Sequence, residues 1–230
     1  STRIILFLHS TRNKHFVDKF MTSLAAFFAF EIWADAESTL KERLDRLSFL
    51  KYKKIKFQNI RNKRVISLVT EKLEPFNKNI CNPSFIYWGR LSPEKNIDMA
   101  IELFSKIFKI EKKSSFTIIG PDYGVKESLI FKINKLGLKE NIIIYDHMSL
   151  KEIIKFANDS CFFIQFSSYE GMGMSVSESM QLGLIPVVTA VGQISSYCKH
   201  MQNSLIYSSN DEKTVSEIFS IVNSKERYSR

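Results

Sequence analysis

Two glutamates, Glu170 and Glu178, bracket a short run of small and flexible residues in the stretch YEGMGMSVSE, which starts at Tyr169. A carboxylate can accept two hydrogen bonds from a ribose diol, and glycines free backbone N–H groups to face an anion or the hydroxyls of a sugar. Paired glutamates are also the residues of glycoside hydrolysis. A surface helix with solvated glutamates is the plainer alternative.

A second loop with candidate chemistry, GRLSPEKN, directly follows the apolar run FIYW. Ser92 is a common helix N-cap and Pro93 suits the first helical position, which predicts a helix that starts here. Arg90 and Lys95 then flank a helix N-terminus, a combination that favours diphosphate binding. Gly89 lets the backbone approach a ligand closely. A capped helix with two surface cations is the alternative.

A third loop, GPDYG, begins at Gly120 after the apolar run FTII. Its glycines permit a ligand to come near, but turn geometry explains them equally well. In a doubly wound sheet, ligands bind outside the carboxyl ends of the strands. All three loops are therefore expected at one edge of one sheet.

Six short apolar runs alternate with helix-like segments in residues 84–230, which predicts a doubly wound, Rossmann-like α/β domain with a parallel sheet. Residues 1–73 contain the strand-like runs IILFL, EIWA and VISLV and two helix-like segments. We expect them to form a second α/β domain that is truncated, with its N-terminal strands missing. Residues 74–83 are polar and contain two prolines, which predicts a linker.

The composition is that of an ordinary globular protein, with 44% hydrophobic and 25% charged residues. Three cysteines without a CxxC pair argue against a disulfide framework and a cysteine zinc site, and favour a reducing cytoplasm. The net charge of +9 is concentrated in part between Lys51 and Arg64, which contains seven basic residues and no acid. Such a run predicts contact with an anionic membrane surface, a solvated face or the phosphates of a nucleic acid. A nucleic-acid partner is not expected, because the aromatic residues of the run are too sparse for a base-stacking platform.

Three stretches resemble a known family in order and spacing: YWGRLSPEKNIDMAIELF, FTIIGPDYG, and SSYEGMGMSVSESMQLGLIPVV with the following VGQ. They resemble the C-terminal donor domain of retaining GT-B glycosyltransferases of family 4 (glycosyl transferases group 1), whose signature is a Glu-x7-Glu pair. The resemblance covers about Phe85 to Tyr207. Met172 stands where the family usually has Phe, and Ser179 and Gln181 stand where it usually has Ala.

The resemblance implies roles for individual residues. The donor diphosphate is expected at Arg90 and Lys95 and the ribose at Glu178. The transferred sugar is expected to contact Glu170 and the backbone amides that follow it. The complete donor-binding set consists of Gly89, Arg90, Lys95, Gly120, Glu170, Gly171, Met172, Gly173, Met174 and Glu178.

The N-terminal part resembles the second half of the same family's acceptor domain. IILFLHS resembles a strand that ends in a histidine facing the transferred sugar, which assigns this role to His9, and EIWADAES resembles a later strand. The implied catalytic set is His9, Glu170, Arg90 and Lys95. The family's first strands and their glycine-rich loop have no counterpart here.

The implied function is transfer of a sugar, with retention, from a UDP- or GDP-sugar to a glycan or lipid-linked acceptor, in bacterial cell-surface polysaccharide or lipopolysaccharide synthesis. Neither a cofactor nor a metal is expected, because the cations and the helix N-terminus would stabilise the departing nucleoside diphosphate. The resemblance disfavours hydrolysis. The enzyme is expected in the cytoplasm, or peripherally at the inner face of the plasma membrane.

Two other classes of function stay compatible with the sequence. One is a truncated, non-catalytic module that binds a nucleotide or a glycan. The other is a protein that binds anionic surfaces through the basic run. A phosphorylase would need a pyridoxal lysine, for which the sequence makes no case.

The membrane interpretation predicts that reversing the charges of Lys51, Lys53, Lys54 and Lys56 releases the protein from anionic vesicles, because each basic residue near the surface contributes about 1 kcal/mol to binding. Co-sedimentation of the wild type and the fourfold variant with anionic and with neutral vesicles measures this. Unchanged binding of the variant would refute the membrane interpretation.

Overall fold

The computed structural model describes residues 5–8, 16–35, 37, 39–40, 62–65, 72–76 and 82–224. The chain divides into two compact units. The first consists of Ser1–Thr70 and Tyr169–Gly173, and the second of Glu71–Ser168 and Met174–Arg230. Each unit contains a parallel sheet.

The first unit has a three-stranded sheet in the order β1-β2-β3. Its elements are β1 (Ile5–Leu8), α1 (Phe16–Phe28), β2 (Glu31–Ala34) and β3 (Asn62–Val65). Small and aliphatic side chains form its described core, namely Leu8, Ala26, Ile32 and Ala34. β3 overlaps the predicted strand VISLV at Val65, and residues 66–69 of that strand lie outside the described part.

The second unit has a six-stranded sheet in the order β6-β5-β4-β7-β8-β9. Its strands are β4 (Ser84–Trp88), β5 (Ser115–Ile119), β6 (Ile142–Tyr145), β7 (Phe162–Gln165), β8 (Ile185–Val188) and β9 (Leu205–Ile206). Its helices are α2 (Ile97–Ile110), α3 (Lys126–Lys135), α4 (Leu150–Asn158), α5 (Met174–Gln181), α6 (Ile194–Tyr197) and α7 (Asp211–Asn223). Counted along the chain from β4, this is the 3-2-1-4-5-6 order of a Rossmann sheet, and the predicted fold class is confirmed.

The sheet of the second unit has a core cluster on each face, and successive side chains of a strand contribute to the two clusters in turn. Phe85 and Tyr87 of β4 belong to one core cluster, which includes the inner face of α2. Ile86 and Trp88 belong to the other, which includes Val176 of α5. This explains the continuous apolar runs in the sequence, since both faces of each strand need apolar side chains.

The start of the segment predicted as a linker, residues 74–83, is held on the second unit, and so is Leu73, which was predicted to end the N-terminal domain. The backbone N–H of Leu73 donates to Oε1 of Gln181 (3.2 Å), and that of Phe76 donates to the carbonyl of Leu182 (3.2 Å). Leu73 is buried there. Residues 77–81 of this segment lie outside the described part.

Helix α7 is tied to α2 and to the end of β9 through Asp211. The phenol of Tyr207 donates to Oδ1 of Asp211 (2.6 Å), and Nζ of Lys106 lies 3.0 Å from Oδ2. Partial burial raises the pKa of Asp211, but the hydrogen bond from Tyr207 and the ammonium of Lys106 outweigh it and lower the pKa below the usual range. The ionised carboxylate thus stabilises the packing of α7.

We expect Asp211→Asn to lower the free energy of unfolding at pH 7 by about 1 kcal/mol, because the amide weakens a charge-assisted hydrogen bond and loses the attraction to Lys106. A lowered carboxyl pKa stabilises the folded state above the unfolded pKa, and this stability is lost as the pH falls through the folded pKa. The difference from wild type, measured by urea unfolding, should therefore shrink between about pH 5 and pH 2. Glu212→Gln, an exposed change in the same helical turn, is the control. A difference that stays constant with pH would contradict this account.

Candidate functional site

The loops that leave the carboxyl ends of β4 and β7 meet where the strand order of the second unit reverses. Nδ2 of Asn96 donates to the carbonyl of Phe166 (2.8 Å), and the backbone N–H of Ser168 donates to the carbonyl of Glu94 (2.8 Å). Rossmann-like sheets bind their ligands in the crevice at this point. The candidate site is therefore built around these two loops.

Gly89 and Gly120 bring the backbones that follow β4 and β5 into direct contact. The N–H of Gly89 donates to the carbonyl of Ile119 (3.0 Å), and that of Gly120 to the carbonyl of Tyr145 (3.1 Å). A Cβ on Gly120 would lie 1.7 Å from the carbonyl oxygen of Gly89. Gly89 itself has a φ of 146°. Backbone packing thus accounts for Gly120 without any ligand.

The helix start predicted at Ser92 is wrong in detail. Ser92 precedes a single 3₁₀ turn, Pro93–Lys95, and its side chain makes no capping hydrogen bond. Asn96 then adopts a left-handed conformation (φ 47°, ψ 44°), and α2 begins only at Ile97. The left-handed residue interrupts the helical path because the Asn96 side chain crosses to the loop after β7. The macrodipole of α2 therefore starts two residues after Lys95.

Arg90 is exposed at the rim of this edge of the sheet. Its Nη2 lies 3.7 Å from Oε1 of Glu94, and its guanidinium lies 5.6 Å from the ring centroid of Tyr123. An exposed ion pair at this distance contributes little free energy, so an anion can compete for the guanidinium. Lys95, at the end of the 3₁₀ turn, is half-buried.

Glu178 lies in α5 and reaches the side chain of Trp88, the last residue of β4. The indole Nε1 donates to Oε2 of Glu178 at 2.9 Å. The carboxylate is therefore not simply solvated on a surface helix, because buried Trp88 uses it as an acceptor. Burial raises the pKa of Glu178 above its usual range, and the hydrogen bond from Trp88 opposes this only in part.

For the remaining predicted site residues, the structure gives the compact unit and the exposure of some, while His9 lies outside the described part. Tyr169–Gly173, which includes Glu170, belongs to the first compact unit, whereas the residues on both sides of this loop belong to the second. Glu170, Gly171 and Met172 are half-buried, and Met174 opens α5 with 38% of its surface exposed. His9 lies outside the described residues, as do the side chains of the basic run.

Within the second unit, six predicted residues lie at the carboxyl edge of the sheet or on the helix that follows β7: Gly89, Arg90, Lys95, Gly120, Met174 and Glu178. The sequence analysis missed two residues that connect them, Trp88 and Asn96. Trp88 gave a usable signal, because a buried indole N–H at the end of an apolar strand needs an acceptor. Asn96 gave none beyond the tolerance of asparagine for left-handed backbone.

Within the described ranges, no group of three or more His, Cys, Asp or Glu side chains is arranged to hold a metal ion. Among those same residues no helix is both long and apolar enough to cross a membrane.

Comparison with known proteins points to one family. The family model described as glycosyl transferases group 1 matches residues 70–230, which is more than half of the chain. A curated relative from Xanthomonas oryzae, GDP-mannose:cellobiosyl-diphosphopolyprenol alpha-mannosyltransferase, is 27% identical over 109 residues, which is 47% of this chain and 29% of the relative. The chain thus matches less than a third of that relative's length.

Two solved structures show the same fold. HepE of Anabaena in complex with UDP and glucose aligns with 98% of this chain and 63% of its own, at a TM-score of 0.79 and 15% identity. A mutant of S. aureus TarM in complex with fondaparinux, alpha-GlcNAc-glycerol and UDP aligns with 96% of this chain and 44% of its own, at a TM-score of 0.76 and 20% identity.

We expect Gly120→Ala to destabilise the second unit by about 3 kcal/mol or more, because the new methyl group overlaps backbone atoms that cannot move aside. Gly137→Ala is the matched control: Gly137 also lies in a turn, with a φ of 67°, but nothing lies within 4 Å of an added Cβ. Its cost should be about 1 kcal/mol from backbone strain alone. Urea unfolding of both variants measures the difference, and equal midpoints would contradict the close backbone contact.

Proposed function

The chain belongs to the glycosyl transferases group 1 family, and we propose that it transfers a sugar from a nucleotide-sugar donor to a glycan or lipid-linked acceptor with retention of configuration, as family 4 GT-B enzymes do. Two comparisons support a nucleotide-sugar donor: the Xanthomonas relative is named as a GDP-mannose enzyme, and HepE was solved with UDP. The donor of this chain is accordingly a UDP- or GDP-sugar.

One observation carries the proposal: the hydrogen bond from Trp88 to Glu178 crosses the switch point of the sheet. It connects the strand that leads directly into Gly89 and Arg90 with the helix that carries the second glutamate of the Glu-x7-Glu pair. A guanidinium suited to a diphosphate and a carboxylate suited to a ribose thus lie on adjoining elements.

In the proposed mechanism, charge at the diphosphate is stabilised by protein cations. Arg90 and Lys95 bind the donor diphosphate and stabilise the negative charge that develops as the nucleoside diphosphate departs. The exposed contact of Arg90 with Glu94 exchanges for the stronger interaction with phosphate oxygens. This role for the two cations needs no metal ion or cofactor.

Glu178 binds the ribose end of the donor in this proposal. A carboxylate accepts from both hydroxyls of a diol, and Oε2 already has the indole of Trp88 as a donor. A half-buried carboxylate that keeps its charge also interacts more strongly with hydroxyl groups than an exposed one. The raised pKa of Glu178 reflects the cost of holding that charge out of water.

The sugar end of the donor is assigned to Glu170 and to the backbone N–H groups of Gly171, Met172, Gly173 and Met174. The proposal also assigns His9 to recognition of the transferred sugar. The acceptor hydroxyl attacks on the face from which the nucleoside diphosphate leaves, which gives retention without a protein nucleophile.

The proposed setting is bacterial cell-surface polysaccharide or lipopolysaccharide synthesis in the cytoplasm. The Xanthomonas relative is named for an acceptor carried on diphosphopolyprenol, which supports a lipid-linked acceptor. The basic run Lys51–Arg64 would hold the enzyme at the anionic inner leaflet, where such acceptors lie.

The donor site predicts a nucleotide affinity that depends on Glu178. We expect Glu178→Ala to weaken binding of the preferred nucleotide by roughly 2–3 kcal/mol, about 30- to 150-fold, because ribose hydroxyls lose their acceptor. Calorimetric titration of wild type and variant with UDP, GDP and ADP measures this. Glu127→Ala, which removes an exposed glutamate from α3, is the control and should bind as wild type does.

A second variant separates binding from folding. Glu178→Gln keeps an acceptor for Trp88 but removes the charge. A raised carboxyl pKa stabilises the folded state at low pH, and this contribution is lost as the pH rises through the folded value. Glu178→Gln should therefore be no less stable than wild type at pH 7 while its nucleotide binding falls. Binding of no nucleotide by the wild type would refute the donor site; nucleotide binding without sugar transfer to any acceptor would favour the non-catalytic module.

A further inference from the structure

Trp88 is a large side chain with one polar group, the indole N–H, in a buried position at the end of a strand. It is the last residue of β4, it is only 4% exposed, and it directly precedes Gly89 and Arg90. Its ring packs edge-on against Phe163, with centroids 4.6 Å apart and an interplanar angle of 66°. Strand pairing and core packing therefore fix the direction of its indole N–H.

The acceptor of that N–H, the carboxylate of Glu178, sits on a side chain with more rotational freedom than the indole. Glu178 has three rotatable side-chain bonds, and among the described residues Trp88 is the one hydrogen-bond partner of its carboxylate. A rigid donor that holds one carboxylate oxygen restricts the rotamers of the glutamate. It also leaves the other oxygen, Oε1, available to a ligand.

We propose that Trp88 is a positioning residue for donor binding, whose indole N–H holds one oxygen of Glu178 so that the other is presented to the ribose diol. This inference rests on the proposed function, since it assumes that Glu178 contacts the ribose. Preorganisation of this kind strengthens binding because the side chain loses less freedom when the ligand arrives.

Three features distinguish this role from simple core packing. The hydrogen bond crosses from β4 to the helix after β7, the two elements that flank the crevice of the sheet. The donor is buried and the acceptor is half-buried, and a hydrogen bond to a charged group is stronger there than in water. Phe or Leu would fill a purely apolar position at the end of β4, but neither offers a donor.

The first test is a double-mutant cycle of Trp88→Phe and Glu178→Ala, with calorimetric affinities for UDP and GDP and for their 2′-deoxy counterparts. We expect Trp88→Phe alone to weaken the preferred ribonucleotide about 3- to 10-fold. It should weaken the 2′-deoxy nucleotide less, because one hydroxyl of the diol is absent. In the Glu178→Ala background, Trp88→Phe should have no further effect on affinity.

Phe116→Leu, a core truncation in the other core cluster, controls for general loosening of the second unit. It should lower stability without changing the preference for the ribonucleotide. If Trp88→Phe weakens both nucleotides equally, or still weakens binding when Glu178 is Ala, the positioning role is overturned. If Glu178→Ala binds nucleotide as wild type does, the ribose assignment itself fails. If Glu178→Ala weakens nucleotide binding but Trp88→Phe does not, the proposed function stands and this inference fails.

The second test needs no change at Trp88 and so holds even if Trp88→Phe does not fold. The protein has two tryptophans, Trp33 and Trp88, so Trp33→Phe leaves Trp88 as the only indole emitter. Saturating UDP or GDP should shift or quench its emission in the full chain, because the carboxylate beside the indole takes new partners. Unchanged emission at saturation would overturn the proposal. If neither nucleotide binds, the proposed function fails, and this inference fails with it.

Discussion

The second unit depends on how β4 and β7 are held side by side. Their paired residues are only Phe85 with Phe162 and Ile86 with Phe163, whereas β4 pairs with β5 along its whole length. Beyond these pairs, hydrogen bonds between the following loops and the one from Trp88 to Glu178 take over the contact. A sheet whose strands separate at this point opens a crevice between them, and side chains rather than a backbone ladder determine its shape. Sheets of this type bind ligands at the switch point, where the walls are specific to the sequence while the sheet beneath is generic.

The hydrogen bond from Trp88 to Glu178 involves a carboxylate that lowers the stability of the fold but suits a binding site. A half-buried carboxylate is costly, as the raised pKa of Glu178 shows, and one indole donor offsets only part of that cost. An apolar pair of similar size would stabilise the core without this penalty. Carboxylates that are kept ionised against their surroundings are characteristic of binding sites, where a ligand supplies the missing donors. The cost is acceptable because two apolar clusters on opposite faces of the sheet stabilise the unit around it.

The sequence predicted the second unit well and the connections within it poorly. Short apolar runs separated by helical periodicity placed all six strands within a residue or two, because strands buried on both faces need continuous apolar sequence. The start of α2 was misplaced, because the left-handed turn at Asn96 depends on an acceptor, the carbonyl of Phe166, far away in the chain. The role of Trp88 was missed for the same reason: its partner lies 90 residues further on.

The position of Arg90 shows how the backbone can direct the cation that we propose binds the donor diphosphate. Its own side-chain contacts are weak, being one long ion pair and a ring at the rim. The residues next to it are held firmly, since the N–H of Leu91 donates to the carbonyl of Pro121 (2.9 Å) and the carbonyl of Leu91 accepts from the N–H of Tyr123 (2.8 Å). These two backbone hydrogen bonds require the loops after β4 and β5 to approach closely, and the absence of a side chain at Gly120 permits this. Gly120 was predicted to contact the donor, but its packing already explains why a glycine is needed there. It lets the two loops approach and so fixes the backbone from which the guanidinium of Arg90 extends.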